Sequence, residues 1–502
     1  MHSRDYNLVF EFDELAMQAV IQMLSFKNYK EIREFMEREE IEIVDLKFID
    51  LLGAWRHVTI PARALTESSF NNGYGIDGSS VFSSKKVTRG DMRILPDLSF
   101  AFMDPFWGDP CLSFVCNLAE VKSGRDIELD PRSIARRAEA YLAKQDFADT
   151  MLISPELEYY MLDEVEWHNT DVSSGFRVGS HQSSPPSAMK DEDELTRNRI
   201  HRQSGYLVAP PQDSNFLIRQ EISELLEESQ IAVRYHHHEV GNLSQEEIEV
   251  EFLPFVHGCD SALLAKYIIK NVAAENGMVA TFMPKPIANQ AGTGMHIHMN
   301  LKKNGKSILF EKGGYADLGE IAIQFISGIL EHGRAIMAIS CASTNSYRRL
   351  KPGFETPTSF YFSEANREAA IRIPGYATTP ETKRFEFRPS DATGNIYLTV
   401  SALVMAGIDG VRRKINSVER GFGPFDGPGP KIQFSWENQR LFLPRSYEEA
   451  LYALRDDWDF LMVNDVFTRS FLETYVDYKW ETEIMSIWGR PHPYEFDLYF
   501  DL

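Results

Sequence analysis

Four segments of this chain place ionisable side chains at every second position, with apolar ones between. They are Glu156-Leu157-Glu158, Glu247-Ile248-Glu249-Val250-Glu251, His296-Ile297-His298 and Arg384-Phe385-Glu386-Phe387-Arg388. In a strand, residues i and i+2 point to the same face, so each segment offers one apolar face to a core and one charged face elsewhere. A solvated outer face of an antiparallel sheet explains one such strand. Solvated faces mix in Lys, Thr and Ser, however, whereas these four use Glu, His and Arg almost exclusively. Joined in one sheet, their carboxylates repel one another unless cations compensate them. Hard oxygen ligands with an occasional imidazole suit Mg²⁺ or Mn²⁺. His236-His237-His238-Glu239, just upstream of the second segment, offers a further ligand.

The opposite charge is concentrated between Tyr347 and Arg388, which holds Arg349, Arg367, Arg372, Arg384 and Arg388. Planar guanidinium forks match carboxylate and phosphate oxygens two at a time. Taken alone, these arginines fit surface salt bridges. Beside a divalent-metal cluster they form the layout expected for phosphoryl transfer, in which metals and arginines share the phosphate charge. The residues therefore indicate a metal- and nucleotide-dependent transferase or ligase, and leave open which.

The elements that position these groups belong to a chain of 502 residues, long enough for two or more domains. With 52 Lys+Arg against 74 Asp+Glu the net charge is −22, which excludes nucleic acid and anionic membrane as partners. The start lacks the regions of a signal peptide, and the longest apolar stretch, Ile396–Ile408, reads as a buried helix too short to span a bilayer. Four cysteines without a C-x-x-C pair point to free thiols in a reducing cytoplasm.

Residues Glu11 to Arg38 predict one or two helices, and Ile43 to Pro61 a β-hairpin around Gly53. Strand signals follow at Met92–Leu95 and Cys111–Asn117. A domain boundary is expected near Asp130-Pro131, followed by a helix. Ser173 to Gln203 reads as a long exposed loop, and Asn304-Gly305 as the turn of a hairpin. A Gly/Pro-rich break, Gly421 to Pro430, precedes a helical section ending near Gly489. Strands and helices do not alternate strictly, so the fold class is α+β. Gly73-Tyr74-Gly75-Ile76-Asp77-Gly78 matches the dinucleotide fingerprint in letters, but lacks the preceding strand and following helix that it requires.

Eight ordered blocks resemble the glutamine synthetase family, type I. They are Ile76-Asp-Gly-Ser-Ser80, Glu156-Leu-Glu158, His236-His-His-Glu-Val240, Phe282-Met-Pro-Lys-Pro286, Gly292-Thr-Gly-Met-His-Ile-His298, Asn345 to Glu355, Asn366-Arg367 and Arg384-Phe-Glu-Phe-Arg388. The ending from Arg490 to Phe500 is also similar. The resemblance runs from about Ile41 to the C-terminus. It implies a small N-terminal β-grasp-like domain and a large catalytic domain, whose curved antiparallel sheet carries the metal site and is flanked by helices. The division expected is a helical segment at 1–40, the β-grasp-like domain at 41–129 and the catalytic domain at 130–502.

The same resemblance implies ATP-dependent ligation of ammonia to the γ-carboxylate of glutamate through γ-glutamyl phosphate. Two Mg²⁺ or Mn²⁺ ions per site are implied, one held by Glu158, Glu239 and Glu247, the other by Glu156, His296 and Glu386. Gly292, Arg349 and Arg388 would handle glutamate, and Tyr206, His298, Asn300, Arg372 and Arg384 the nucleotide. Arg367 would face the phosphates, Asp77 would help deprotonate ammonium, and Glu355 would close over the intermediate. Asp77 enters a neighbouring subunit's site in the family, which implies a homo-oligomer, usually a dodecamer of two stacked hexameric rings. Departures from the family pattern are Ala291 for a substrate-touching Asn, Glu381 for a Lys, Arg234 for a Glu and Ser244 for a Gly. Ala291 keeps a γ-glutamyl ligase for a larger amine in view. The Gly421–Pro430 loop holds no tyrosine, so tyrosine adenylylation there is not expected.

Overall fold

The computed structural model describes residues 24–82, 90–182, 199–426, 429, 434–435 and 437–501. Among the described residues the first helix is Tyr29–Arg38, started by Asn28, whose side chain accepts from the Glu31 N–H at 3.1 Å. Of the rest of the expected N-terminal helical stretch, residues 11–23 lie outside the described residues, and residues 24–28 are not helical, Leu24 instead bridging to Ala101 of the N-terminal sheet.

A five-stranded sheet follows in the order Trp55–Pro61, Ile43–Ile49, Cys111–Glu120, Asp91–Met103 and Tyr74–Asp77. The expected hairpin forms, with Leu46 opposite Val58. Ile43–Ile49 then pairs in parallel with Cys111–Glu120, which makes the sheet mixed and gives the β-grasp arrangement.

Asp130 begins the next helix, Pro131–Leu142: its carboxylate accepts from the Arg132 and Ser133 N–H groups, and Pro131 takes the first helical position. Arg132 sits almost wholly buried at the seam between the two sheets. It donates to both oxygens of Asp260 at 2.9 and 2.8 Å, to Asp97 at 2.6 Å and to Asn117 at 2.7 Å. One fork thus ties the N-terminal sheet to the helix Phe255–Glu275.

The larger sheet has ten strands and is curved. Its central strand, Thr150–Leu162, lies between Met295–Lys303 and Gln245–Val250; Val233–His238 lies beyond the latter. Phe385–Phe387, Ile371–Ile373 and Phe362–Glu364 continue it on the other side. Leu157, Ile248, Ile297, Phe385 and Phe387 are all fully buried on its apolar face. The helix Phe255–Glu275 packs on the central strand, and the buried helix Ile396–Arg412 packs on Pro131–Leu142 and Glu320–Glu331. Gly328 and Gly410 let Glu320–Glu331 and Ile396–Arg412 touch: a Cβ on either would lie 2.1 to 2.2 Å from a carbonyl of the other helix.

Asn304-Gly305 makes the expected hairpin turn between Met295–Lys303 and Lys306–Ser307, both turn residues with positive φ. Two expectations need correction. Ser174–Gly179, the start of the expected long loop, is a strand paired with Glu164–Asn169. Its Phe176 and Val178 alternate as a strand requires, a signal hidden by the Ser-rich flanks; residues 183–198 lie outside the description. The helical section also continues past Gly489, because Pro493 opens a further helix, Pro493–Tyr499, capped by His492. No helix among the described residues is long and apolar enough to cross a membrane.

Candidate active site

The charged face of the large sheet is built by register. Glu156 stands opposite Glu249 on one neighbouring strand and His296 on the other. Glu158 stands opposite Glu247, which in turn faces His237. His298 faces Glu386, which faces Arg372. Period-two alternation thus brings all four segments onto one face, and that face is not solvated: Glu156, Glu247, His296, His298 and Glu386 are buried.

Two sets of side chains offer ligand atoms within 4.8 Å of one another: Glu156, His298 and Glu386, and His237, Glu239 and Glu247. Their membership differs from the expected grouping, with His298 in the first set and His237 in the second. His296 remains at the centre, its Nδ1 3.0 Å from Glu156, 3.5 Å from Glu386 and 3.7 Å from Glu158. Glu158 accepts from the Gly294 N–H at 2.7 Å. Of the three adjacent histidines, only His237 joins the carboxylates; His236 meets Gln220, and His238 meets Gln182.

The electrostatics divide along the same line. Burial would raise the Glu156 carboxyl, but the imidazoles of His298 and His296 outweigh it and hold it well below the usual range. Burial likewise acts on Glu386, and the Arg388 guanidinium outweighs it, bringing that carboxyl down to about 2. Burial, then the charges of neighbouring glutamates, push Glu239 and Glu247 well above the carboxylate range. At Glu239 the imidazole of His237 pulls the other way but is outweighed. Carboxylate and imidazole donors with unrelieved mutual repulsion fit a divalent cation.

A cavity of about 890 Å³ opens over this floor. Its walls include Tyr206, Gly292, Arg349, Glu355, Arg367, Arg372 and Arg388. Arg349 is fixed by its own donors, which reach the carbonyls of Pro389 at 2.7 Å and Arg388 at 3.0 Å. Arg372 and Arg388 both bond Glu386, one to each oxygen. Arg367 reaches Glu355 at 3.3 Å and Tyr206 at 3.3 Å. The loop carrying Ala291 and Gly292 hangs from Tyr160, which donates to the Ala291 carbonyl at 2.7 Å, and Gln245, which donates to the Gly292 carbonyl at 2.9 Å.

Gly292 is required by its surroundings, since a Cβ there would lie 2.6 Å from the Pro284 carbonyl and 2.7 Å from the Arg349 side chain. Gly292→Ala must therefore displace Arg349. Given the glutamate-handling role that the resemblance implies for Arg349, a rise in the KM for glutamate of about tenfold is expected, with Mn²⁺ affinity retained. Steady-state kinetics beside a metal titration checks it, and an unchanged glutamate KM would refute it.

Other expected residues lie elsewhere. His298 and Glu386 are fully buried and do not line the cavity. Asn300 is tied to Ser307 at 3.1 Å and to the Glu381 carbonyl at 3.5 Å. Arg384 is buried and reaches Tyr376 at 3.3 Å. Asp77 lines no part of this cavity: exposed on the N-terminal sheet, it accepts from Ser79 at 2.6 Å and Ser80 at 2.8 Å. These hydrogen bonds, Ser79's first, lower its carboxyl from the ordinary value.

Tyr235 and Tyr376 line the cavity without having been singled out. Tyr235 stacks on His237 at 5.8 Å, and its spacing two residues before His237 was a usable signal. Tyr376 lies 5.1 Å from the Arg384 guanidinium and 5.9 Å from that of Arg372, a contact no sequence period announces. Arg234, the departure from a family glutamate, pairs with the buried Glu249 at 2.8 Å.

A β-grasp sheet joined to a curved sheet whose charged face floors an arginine-rimmed cavity defines a two-part α+β enzyme. Family models for the glutamine synthetase β-grasp domain and catalytic domain match residues 40–121 and 128–499. The glutamine synthetase of Streptomyces coelicolor is 38% identical over 478 residues, 95% of this chain and 100% of that protein. That of Methylococcus capsulatus is 39% identical over 476 residues, 94% of this chain and 99% of that protein. The solved Plasmodium falciparum glutamine synthetase superposes with a TM-score of 0.84 at 27% identity, covering 95% of this chain and 100% of that one. This chain belongs to the glutamine synthetase family.

Proposed function

We propose that this chain is a glutamate–ammonia ligase, using ATP to phosphorylate the γ-carboxylate of L-glutamate and ammonia to displace the phosphate, giving glutamine, ADP and phosphate. The observation that carries this is one cavity lined by Glu156, Glu158, His237, Glu239, Glu247, His296 and four arginines, with His298 and Glu386 completing the Glu156 set behind it. A free carboxylate is a poor electrophile for an amine, so its activation as an acyl phosphate is the step the site must serve. Two divalent ions, Mg²⁺ or Mn²⁺, would be held by Glu158, Glu239 and Glu247, with His237 beside them, and by Glu156, His296 and Glu386, with His298 beside them; when bound they supply charge for the phosphates.

Arg349 and Arg388 bind and orient glutamate, and Gly292 lets its backbone approach. Arg367 and Arg372 take the phosphate charge as it develops. Tyr206, His298, Asn300 and Arg384 serve the nucleotide, Tyr206 from the cavity wall and the others from positions behind it. Glu355 closes over the acyl phosphate and excludes water. Asp77 takes a proton from ammonium in the neighbouring subunit's site. Its exposure outside its own chain's cavity supports a homo-oligomer, in the family manner a dodecamer of two stacked hexameric rings. Four free, buried thiols are in keeping with a cytoplasmic protein.

Phosphate release with ATP, Mg²⁺ and glutamate, comparing ammonium with methylamine, ethanolamine and polyamines, tests the assignment. Turnover with ammonium is expected. Turnover with a larger amine and not with ammonium would replace it by a γ-glutamyl-amine ligase.

A further inference from the structure

The segment carrying Glu355 and the loop carrying Gly292 meet through one ammonium group. Lys285 Nζ lies 4.2 Å from the centre of the Phe354 ring and donates to the carbonyl of Gln290. Phe354 immediately precedes Glu355, and Gln290 immediately precedes Ala291 and Gly292; Phe354, Glu355, Ala291 and Gly292 line the cavity. The backbone of Lys285 is itself clamped: its N–H donates to Asn345 Oδ1 at 2.6 Å, and its carbonyl accepts from Asn345 Nδ2 at 3.1 Å. Asn345 starts the short helix Ser346–Arg349, so the ammonium is referenced to the same element that carries Arg349.

The Phe354 side of the contact is far less secured. Gly353 and Glu355 on either side of it both have positive φ, 92° and 53°. Across the cavity, Glu355 is held by Arg388 to its carbonyl at 3.4 Å and by Arg367 to its carboxylate at 3.3 Å, both near the limit of a hydrogen bond. The 2.8 Å bond from Thr356 to the Lys351 carbonyl stays within the segment. The charged groups around Lys285 are cations, Lys351 and Arg349, so the ring face is the attraction that draws the ammonium toward the flap.

We propose that Lys285 is a positioning residue that latches the Glu355 flap to the Gly292 loop through Phe354, keeping water from the γ-glutamyl phosphate until ammonia arrives. This rests on the assignment of glutamine formation above. With the latch loose, a water oxygen attacks the γ-carbonyl carbon and the bond from that carbon to the phosphate oxygen breaks. Glutamate and inorganic phosphate are returned and one proton is released, so ATP is consumed without an amide.

The test counts phosphate and glutamine in the same reaction at limiting ammonium, for the intact enzyme and for Lys285→Met, Lys285→Arg and Phe354→Leu. Lys285→Met and Phe354→Leu are expected to raise the phosphate-to-glutamine ratio at least about twofold, with the KM for ATP unchanged. Lys285→Arg, which keeps a cation over the ring, is expected to restore the parental ratio. A Lys285 that only supports the fold would lower both products together; a parental ratio in both Lys285→Met and Phe354→Leu overturns the latch alone. Phe354→Leu carries the test if Lys285→Met does not fold. An intact enzyme that releases phosphate with no glutamine overturns the assigned reaction, and the latch with it.

Discussion

Glu156→Gln is expected to reduce glutamine formation by about 10³-fold or more and to weaken Mn²⁺ binding with it. No other carboxylate on the sheet meets both histidines of its neighbour strand so closely: Oε1 lies 2.7 Å from His298 Nε2, and Oε2 lies 3.0 Å from His296 Nδ1. Glutamine keeps the volume and removes the charge, so packing of the central strand survives while both imidazoles lose an anionic partner. One of the two carboxylates is also removed from the set completed by Glu386. A removed partner leaves the other groups buried and uncompensated, and here those groups are the imidazoles of His296 and His298. Turnover measured beside a Mn²⁺ titration decides it. Retained Mn²⁺ affinity would show that Glu156 is not a ligand, whatever happened to the rate.

The second large effect concerns stability. Glu239 and Glu247 have folded-state values raised above the ordinary 4.5, by burial and then by neighbouring carboxylates. Such groups favour the fold below the unfolded value, and that contribution is lost as pH rises through the folded values. Glu156 and Glu386 run the other way: their contribution is present above 4.5 and disappears only as pH falls through their depressed values, about 2 for Glu386. Between those windows the metal-free protein should become more stable as pH falls from neutral toward 4.5. Divalent metal relieves the same repulsion at neutral pH, where metal at about 100 times its Kd adds about 2.7 kcal/mol. The rise in Tm on adding Mn²⁺ should therefore shrink steadily from about pH 8 to about pH 5, as protons take the place of the metal. A Tm shift that is the same across that range would sink the prediction.

Both effects depend on a site that was partly legible before any fold was known. Alternation at Glu156-Leu157-Glu158 and His296-Ile297-His298 requires that each pair share a face, because a strand turns its side chains over at every residue. The Asp130-Pro131 helix start and the Asn304-Gly305 turn were equally readable, since both are settled by a few neighbouring backbone groups. Local chemistry of that kind misled at Ser174–Gly179, where polar composition masked an alternation of only two apolar residues.

What the sequence determined by itself is therefore the type and facing of the charged groups and, through its ordered blocks, the family. What only the tertiary structure decided is which of those groups meet. The strands holding Glu156, Glu247, His296 and Glu386 are far apart in the chain, and their order in the sheet follows from non-local pairing. That pairing seats His298 as well as His296 against Glu156 and Glu386, and adds His237 to Glu239 and Glu247. It also leaves Asp77 outside the cavity and sets Lys285 against Phe354. A residue's own spacing fixes the direction of its side chain; its partner is fixed by register and by the packing of distant segments, which no local period records.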